Sequence, residues 1–360
     1  MKRASWLPAV LSLAGVALTA AVIWGDFGAR GTGALALDVP ASGETTLTVT
    51  WVGDTMVGDA SEPFARQYGY LRPFEHVSAL LDADVVIANH EAPITAIRTP
   101  FNPEKLYSYA ADPLSAEALR TAGITVLGLA NNHVMDMGPA GLTDTLAHAQ
   151  RAGLTCFGAG ADDSQAERPL LIDNGTVTLG VVALAKGYGS SVTAGRDRAG
   201  TVALSEAAIA RGYALAKKAG ADYVVGFVHW GENYEPQVLD EQRRIAREFS
   251  AAGYDIVIGH GPHIPQRAEV VGGMPVVYSL GNFVFGTPGS FDEHVPGEGV
   301  LVTTAFTAEG LVSLSATCID TDNDRVAFQP VQLEPESSAA LLDRLGYASV
   351  IDRFAGSGVR

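Results

Sequence analysis

Residues 126–141 read VLGLANNHVMDMGPAG. An apolar run, Val126 to Ala130, stops abruptly at Asn131, Asn132 and His133. Asp136 follows three residues later, and Gly138-Pro139 suits the start of a helix. Open α/β sheets present their sites in this way, on polar groups discharged at the C-terminal ends of buried strands. Taken alone, the same residues also fit a polar turn with a satisfied histidine. The choice depends on how the other strands end.

Four more apolar runs end alike. The strand expected over Thr46 to Val52 runs into Gly53-Asp54, and the one over Asp84 to Ala88 into Asn89-His90-Glu91. The run from Asp222 to Val228 ends at His229, and the run from Asp255 to Ile258 at Gly259-His260-Gly261-Pro262-His263. In the last case Gly261 and Pro262 make a tight loop that can present both rings. If these strands share a direction, their ends gather Asp, Glu, Asn and His on one edge. A mixed oxygen and nitrogen set suits Mn, Fe or Zn better than an all-oxygen calcium or magnesium cage. With so many donors two ions are possible, and such a pair can clamp an in-line attack at phosphorus. Asp59 and Asp136 are candidates to orient a ligand or an imidazole. His76, His148 and His294 have no such neighbours and read as surface or core histidines. No G-x-S-x-G elbow, Walker loop or spaced G-x-G-x-x-G is present.

The chain has 360 residues, 47% of them hydrophobic, and a formal net charge of −16. That balance argues against nucleic acid as a partner and against nonspecific adhesion to an anionic membrane surface. A polyanion would need a local basic patch, and Lys186, Arg196 and Arg198 are the cluster the sequence offers beside the site. Cys156 and Cys318 fit no metal spacing; the sequence leaves open two thiols or one disulfide. Lys2 and Arg3 precede a mostly apolar run from Leu7 to Trp24. Its length is close to the roughly 20 residues that span a bilayer, and the two basic charges ahead of it place the chain after Trp24 outside the cell. A cleaved signal peptide, giving a secreted protein, is the competing reading.

Helices alternate with strands early in the chain, and strand hairpins dominate late, which indicates an α/β (α+β) layered domain. The division expected is a transmembrane anchor or signal over 1–25, a linker over 26–43, one domain over 44–335, and a partly helical tail over 336–360. Helices are expected over Phe74 to Leu81, Ser115 to Ala122, Gly141 to Ala152, Ser205 to Ala219, Leu239 to Ala252 and Ser337 to Leu345. The loop from Lys186 to Gly200 reads as a mobile segment beside the site.

VGDTMVGD, ANHEAPIT, LANNHVMDMG, VHWGENYEP, GHGPHIPQ and YSLGNFVF occur in that order. Together they resemble the CapA family of poly-γ-glutamate capsule biosynthesis proteins, within the calcineurin-like metallophosphoesterase superfamily, over roughly Leu47 to Phe306. The resemblance implies a four-layer αββα sandwich of the metallophosphoesterase type with a dinuclear metal site at one edge. It implies Asp54 as a ligand of the first metal and Glu91 as the bridging carboxylate. Asn132 and His229 would hold the second metal with His260 beside them, and His263 would reach back to the first. His133, supported by Asp136, would protonate a leaving oxygen or stabilise charge on phosphate. Two departures from the wider superfamily stand out. Its Asp-x-His is Asp54-Thr55-Met56 here, and its Gly-His-x-His is stretched so that two residues separate His260 from His263. The function implied is a membrane-anchored extracytoplasmic part in poly-γ-glutamate or capsule polymer synthesis or export, with membrane-bound partner proteins. The alternatives are a metal-dependent phosphoesterase acting on envelope phosphodiesters or nucleotides, and a polymer-binding subunit without catalysis.

Overall fold

The computed structural model describes residues 33–39, 45–292 and 294–354. The expected anchor, residues 1–25, lies outside them. Among the described residues no helix is long and apolar enough to cross a membrane.

The strands, in chain order, are β1 Leu35–Asp38, β2 Leu47–Met56, β3 Val85–His90, β4 Val126–Gly128, β5 Thr155–Phe157, β6 Ala159–Gly160, β7 Leu170–Asp173, β8 Thr178–Ala185, β9 Gly200–Thr201, β10 Tyr223–His229, β11 Ile256–His260, β12 Ala268–Val271, β13 Met274–Val277, β14 Asn282–Phe285, β15 Glu298–Thr307, β16 Gly310–Asp320 and β17 Val331–Gln332. Among the described residues all but β6 and β9, which pair with each other, form two large mixed sheets. One is seven-stranded, ordered β1-β7-β8-β10-β11-β13-β12; the other is eight-stranded, ordered β17-β16-β15-β2-β3-β4-β5 with β14 added against β2. β8, β10, β11 and β13 run parallel, as do β2, β3, β4 and β5.

Period-two alternation builds the layers. In β10, Val225 and Phe227 face the other sheet, in a core shared with Trp51, Ile87, Val126 and Phe157. Val224 and Val228 face outward, onto Ile209, Ile245 and Phe249 of the helices Glu206–Lys218 and Asp240–Ala252. On the far side Val86 and Leu127 pack under Leu119 of Ser115–Ala122 and Leu142 and Leu146 of Gly138–Arg151. The order is therefore helix, sheet, sheet, helix. Each fully buried large apolar side chain contributes about 1.5–3 kcal/mol relative to exposure. Glycine allows the sheets to approach: a Cβ on Gly128 would stand 2.5 Å from the Phe227 ring.

Several boundaries differ from expectation. Leu35–Asp38, inside the stretch read as linker, is an edge strand paired in parallel with β7. Phe74 to Leu81, read as a helix, is two 3-10 turns, Arg72–Phe74 and Ser78–Leu80. Asn282–Phe285 is a strand in its own right, lying beside the end of β2 while β15 pairs with its beginning. The tail also belongs to the core. Leu341 and Leu345 of the first tail helix region, with Tyr347 and Val350 of Tyr347–Phe354, close the inter-sheet core. Cys156 and Cys318 are both buried free thiols.

Candidate metal centre and its cleft

The ends of β2 and β3 meet the ends of β10 and β11 across the sandwich. Asp54 and Asn89 are register neighbours in one sheet, and His229 and His260 are register neighbours in the other. Asp54, Glu91 and His263 each offer a ligand atom, and these atoms lie within 4.8 Å of one another. His263 Nδ1 is 3.0 Å from Asp54 Oδ2, and its Nε2 is 3.9 Å from Glu91 Oε2. His260 Nδ1 lies 3.5 Å from Asp54 Oδ1, and His229 Nε2 lies 2.9 Å from Glu91 Oε1. His263 has φ +61°, the left-handed region, which costs a residue with a Cβ about 1–2 kcal/mol. The loop thus bends back so that both of its rings face the same carboxylate.

Around these donors, Glu91 Oε2, both ring nitrogens of His260 and Asn132 Oδ1 are buried without a hydrogen-bond partner. A buried polar atom left open costs about 1–3 kcal/mol. Carboxylate, imidazole and amide donors held open together match the ligand preferences of a divalent transition metal. The residues present therefore fit a metal ion.

The charges agree. Burial pushes the Asp54 carboxyl up, but the close imidazoles of His260 and His263 and their charge outweigh it and hold it well below the usual carboxylate range. Burial, with Asp54 beside it, pushes Glu91 well up. Burial pushes His263 down, yet Glu91 and Asp54 more than reverse this and carry it to about 9. Burial takes His229 down to about 4 and also lowers His260. Two crowded carboxylates have thus collected a proton-bearing imidazole where a cation would sit.

Asn132, His133 and His263 open onto a cleft of about 440 Å³ that Lys105, Tyr109 and Tyr234 also line. His133 Nδ1 is 2.7 Å from Asp136 Oδ2. Two acceptors do not approach so closely, so the proton lies on Nδ1 and is donated to Asp136. Burial lowers the His133 pKa to about 4, with the nearby Lys105 charge adding to the shift and Asp136 opposing it. As it stands His133 is neutral. The Tyr109 ring packs against it, tilted by 34° at a centroid distance of 4.4 Å.

Not every expected residue joins the cluster. Asp59 instead accepts a hydrogen bond from Thr287 at 2.9 Å on the surface. Lys186 pairs with Glu232, and Arg198 donates to the Thr193 carbonyl. The cation that reaches the cleft is Lys105. Asn131, read as a turn residue, does more. Its Nδ2 donates to Asn89 Oδ1 and the His90 carbonyl, and its Oδ1 accepts from the His133 amide. Asn89 Nδ2 in turn donates to Asp54 Oδ1 at 2.8 Å and Glu91 Oε1 at 2.6 Å. Asn282 Oδ1 lies 3.0 Å from His263 Nδ1, and the Tyr188 hydroxyl lies 2.8 Å from His229 Nδ1. Asn89, Asn282 and Tyr188 all sit in the ordered motifs or in the loop expected beside the site, and their amides or hydroxyl are the available signal. Lys105 has none. Met56, where the superfamily motif has histidine, is fully buried in the apolar cluster beneath the helices.

An αββα sandwich with a metal-type donor cluster on the shared edge of its sheets is the class this fold and site define. Residues 48–287 match the family described as bacterial capsule synthesis protein PGA_cap. The chain belongs to that family. It is 34% identical over 245 residues to the PGA biosynthesis protein CapA of Bacillus subtilis (strain 168), covering 67% of this chain and 64% of that one. It is 31% identical over 245 residues to the capsule biosynthesis protein CapA of Bacillus anthracis, covering 66% and 60%. The chain thus matches less than two thirds of the length of either relative. Among solved structures, a hypothetical protein from Thermus thermophilus overlaps with TM-score 0.46 and 18% identity, over 76% of this chain and 98% of that one.

Proposed function

We propose that this protein works in the synthesis or export of an anionic capsule polymer of the poly-γ-glutamate kind, using a divalent-metal hydrolytic centre of the metallophosphoesterase type. In this reading residues 1–25 anchor it in the membrane, the domain stands outside the cytoplasm, and membrane-bound synthesis or export proteins are its partners. The observation that carries the hydrolytic part is the set of open donors on Glu91, His260 and Asn132 around Asp54 and His263. The capsule part is supported by the family to which the chain belongs.

Asp54, Glu91, Asn132, His229, His260 and His263 would hold the metal, as a pair of ions of the Mn, Fe or Zn type. When bound, the metal supplies a Lewis acid and lowers the pKa of water. The chain's own residues do the rest. Asn89 holds Asp54 and Glu91 in register, and Asn282 and Tyr188 orient His263 and His229. His133 would turn Nε2 to the cleft, where it would take a proton from an attacking water and return it to the leaving oxygen.

A second reading, a phosphoesterase acting on envelope phosphodiesters or nucleotides, is favoured by the His133–Asp136 pair opening on a cleft that holds Lys105. One experiment addresses both. The purified full chain is loaded with Mn2+, its metal content measured, and turnover followed on poly-γ-glutamate and on a panel of phosphodiesters, alongside His133→Ala. Metal-dependent turnover lost in the variant supports catalysis, and the substrate that is cut separates the two readings. Bound metal with no turnover on either substrate leaves the polymer-binding role. Absence of bound metal under every loading condition removes the metal centre.

A further inference from the structure

We infer that Lys105 is a positioning residue, fixing the Asp136–His133 pair so that His133 keeps Nε2 turned to the cleft. This rests on the proposed role of His133.

The Lys105 ammonium lies among three groups of one short segment. It donates to the Asn132 carbonyl at 2.8 Å, makes an ion pair with Asp136 Oδ1, and lies 3.2 Å from His133 Nδ1. The Asp136 side chain is 1% exposed, and a polar group so buried is costly unless it is paired and hydrogen-bonded. Its other oxygen, Oδ2, accepts from the Tyr109 amide at 2.7 Å and from His133 Nδ1 at 2.7 Å. Asp136 is thereby held from both oxygens. The carboxylate cannot rotate without giving up the ammonium, and its held plane sets the plane of the imidazole. The proton on Nδ1 then follows, and Nε2 carries the lone pair into the cleft.

The segment that delivers Lys105 is itself fastened to the same residues. The Phe101 amide donates to the Asp136 carbonyl at 2.8 Å. Phe101 covers Gly138 so closely that a Cβ there would lie 2.7 Å from its ring. Tyr109, at the other end, packs its ring against His133. Residues 101–109 thus form a strap that touches the pair and its flanking residues at Phe101, Lys105 and Tyr109. At the cleft itself it exposes Leu106 at 84% and Tyr107 at 57%.

The test uses full-length protein carrying 15N-labelled histidine, compared with Lys105→Met and Lys105→Arg. In the wild type His133 is expected as the Nδ1–H tautomer; in Lys105→Met its ring signals should show mixed tautomers, and Lys105→Arg should restore the single form. On whichever substrate the enzyme turns over, Lys105→Met should lower kcat about 10- to 100-fold, as losing an orienting partner does, with little change in KM, and Lys105→Arg should recover most of it. Thermal melting of all three chains separates misfolding from loss of orientation. An unchanged tautomer in well-folded Lys105→Met overturns the inference, as does a purely KM effect, which would make Lys105 an anion-binding residue. The tautomer is read without turnover, so it decides the matter for Lys105 even if the hydrolytic reading fails.

Discussion

His229 Nε2 lies 2.9 Å from Glu91 Oε1, although His229 ends β10 in one sheet and Glu91 directly follows β3 in the other. The contact crosses the sandwich, so the donor cluster exists only while the sheets are docked. Within the cluster, Glu91 also keeps one buried oxygen open. Glu91→Gln keeps the shape and removes the charge. Bound Mn2+, measured by elemental analysis after gel filtration, should fall at least about tenfold. Wild-type metal content in the variant would take Glu91 out of the ligand set.

Metal affinity should rise with pH. His263, carried to about 9 by Glu91 and Asp54, bears a proton at neutral pH in the metal-free protein. Glu91, pushed up by burial and Asp54, resists ionising as well. A cation must displace such protons. Affinity should therefore climb from pH 6 toward pH 9 and level off above it, with proton release on binding. Calorimetric titrations in buffers of different ionisation enthalpy would show this; a flat profile would contradict the assignment of His263.

Tyr188 reaches the site from the loop 186–200, and its hydroxyl is 2.8 Å from His229 Nδ1. Outer partners of this kind set which imidazole nitrogen is free and how the ring is aimed. Tyr188→Phe should weaken metal retention about 10-fold in competition with a chelator, at unchanged melting temperature of the metal-free chain. Equal retention would mean that packing alone aims His229.

Gly128 lies against Phe227 across the sandwich. The Phe227 ring is 5.4 Å from Phe157 and 4.3 Å from His260, centroid to centroid. Overpacking at such a contact costs about 1–3 kcal/mol. Gly128→Ala should lose that much in urea unfolding and should also loosen metal binding, because Phe227 can yield only toward its neighbours. An unshifted midpoint would show that the sheets have room to part.

The strand ends are legible because buried parallel strands are short apolar runs, and an abrupt change to Asp, Asn or His marks where they surface. Asp54, Glu91, His229, His260 and His263 come together in the structure from that signal. Residues whose placement depends on tertiary pairing are not legible. Leu35–Asp38 carries too little pattern to stand out from its glycine- and alanine-rich surroundings, and only its pairing with β7 makes it a strand. Asn282–Phe285 directly follows a hairpin and adds to β2 out of sequence order. Lys105 is an isolated lysine in a loop, 31 residues from Asp136. Nothing local separates it from an ordinary surface charge. In the sequence the side chain of Asn131 fits its own turn, the commonest use of asparagine there, yet its partners Asn89 and His90 are on a neighbouring strand.

The edge strand β1 has a mechanical meaning. It is held to β7 by one short parallel pairing, with β7 and β8 standing between it and the strand that carries His229. A pull on the chain ahead of Leu35 loads the outermost seam of the seven-stranded sheet first. Two further strands, β7 and β8, must give way before such a load reaches β10 and the donor cluster.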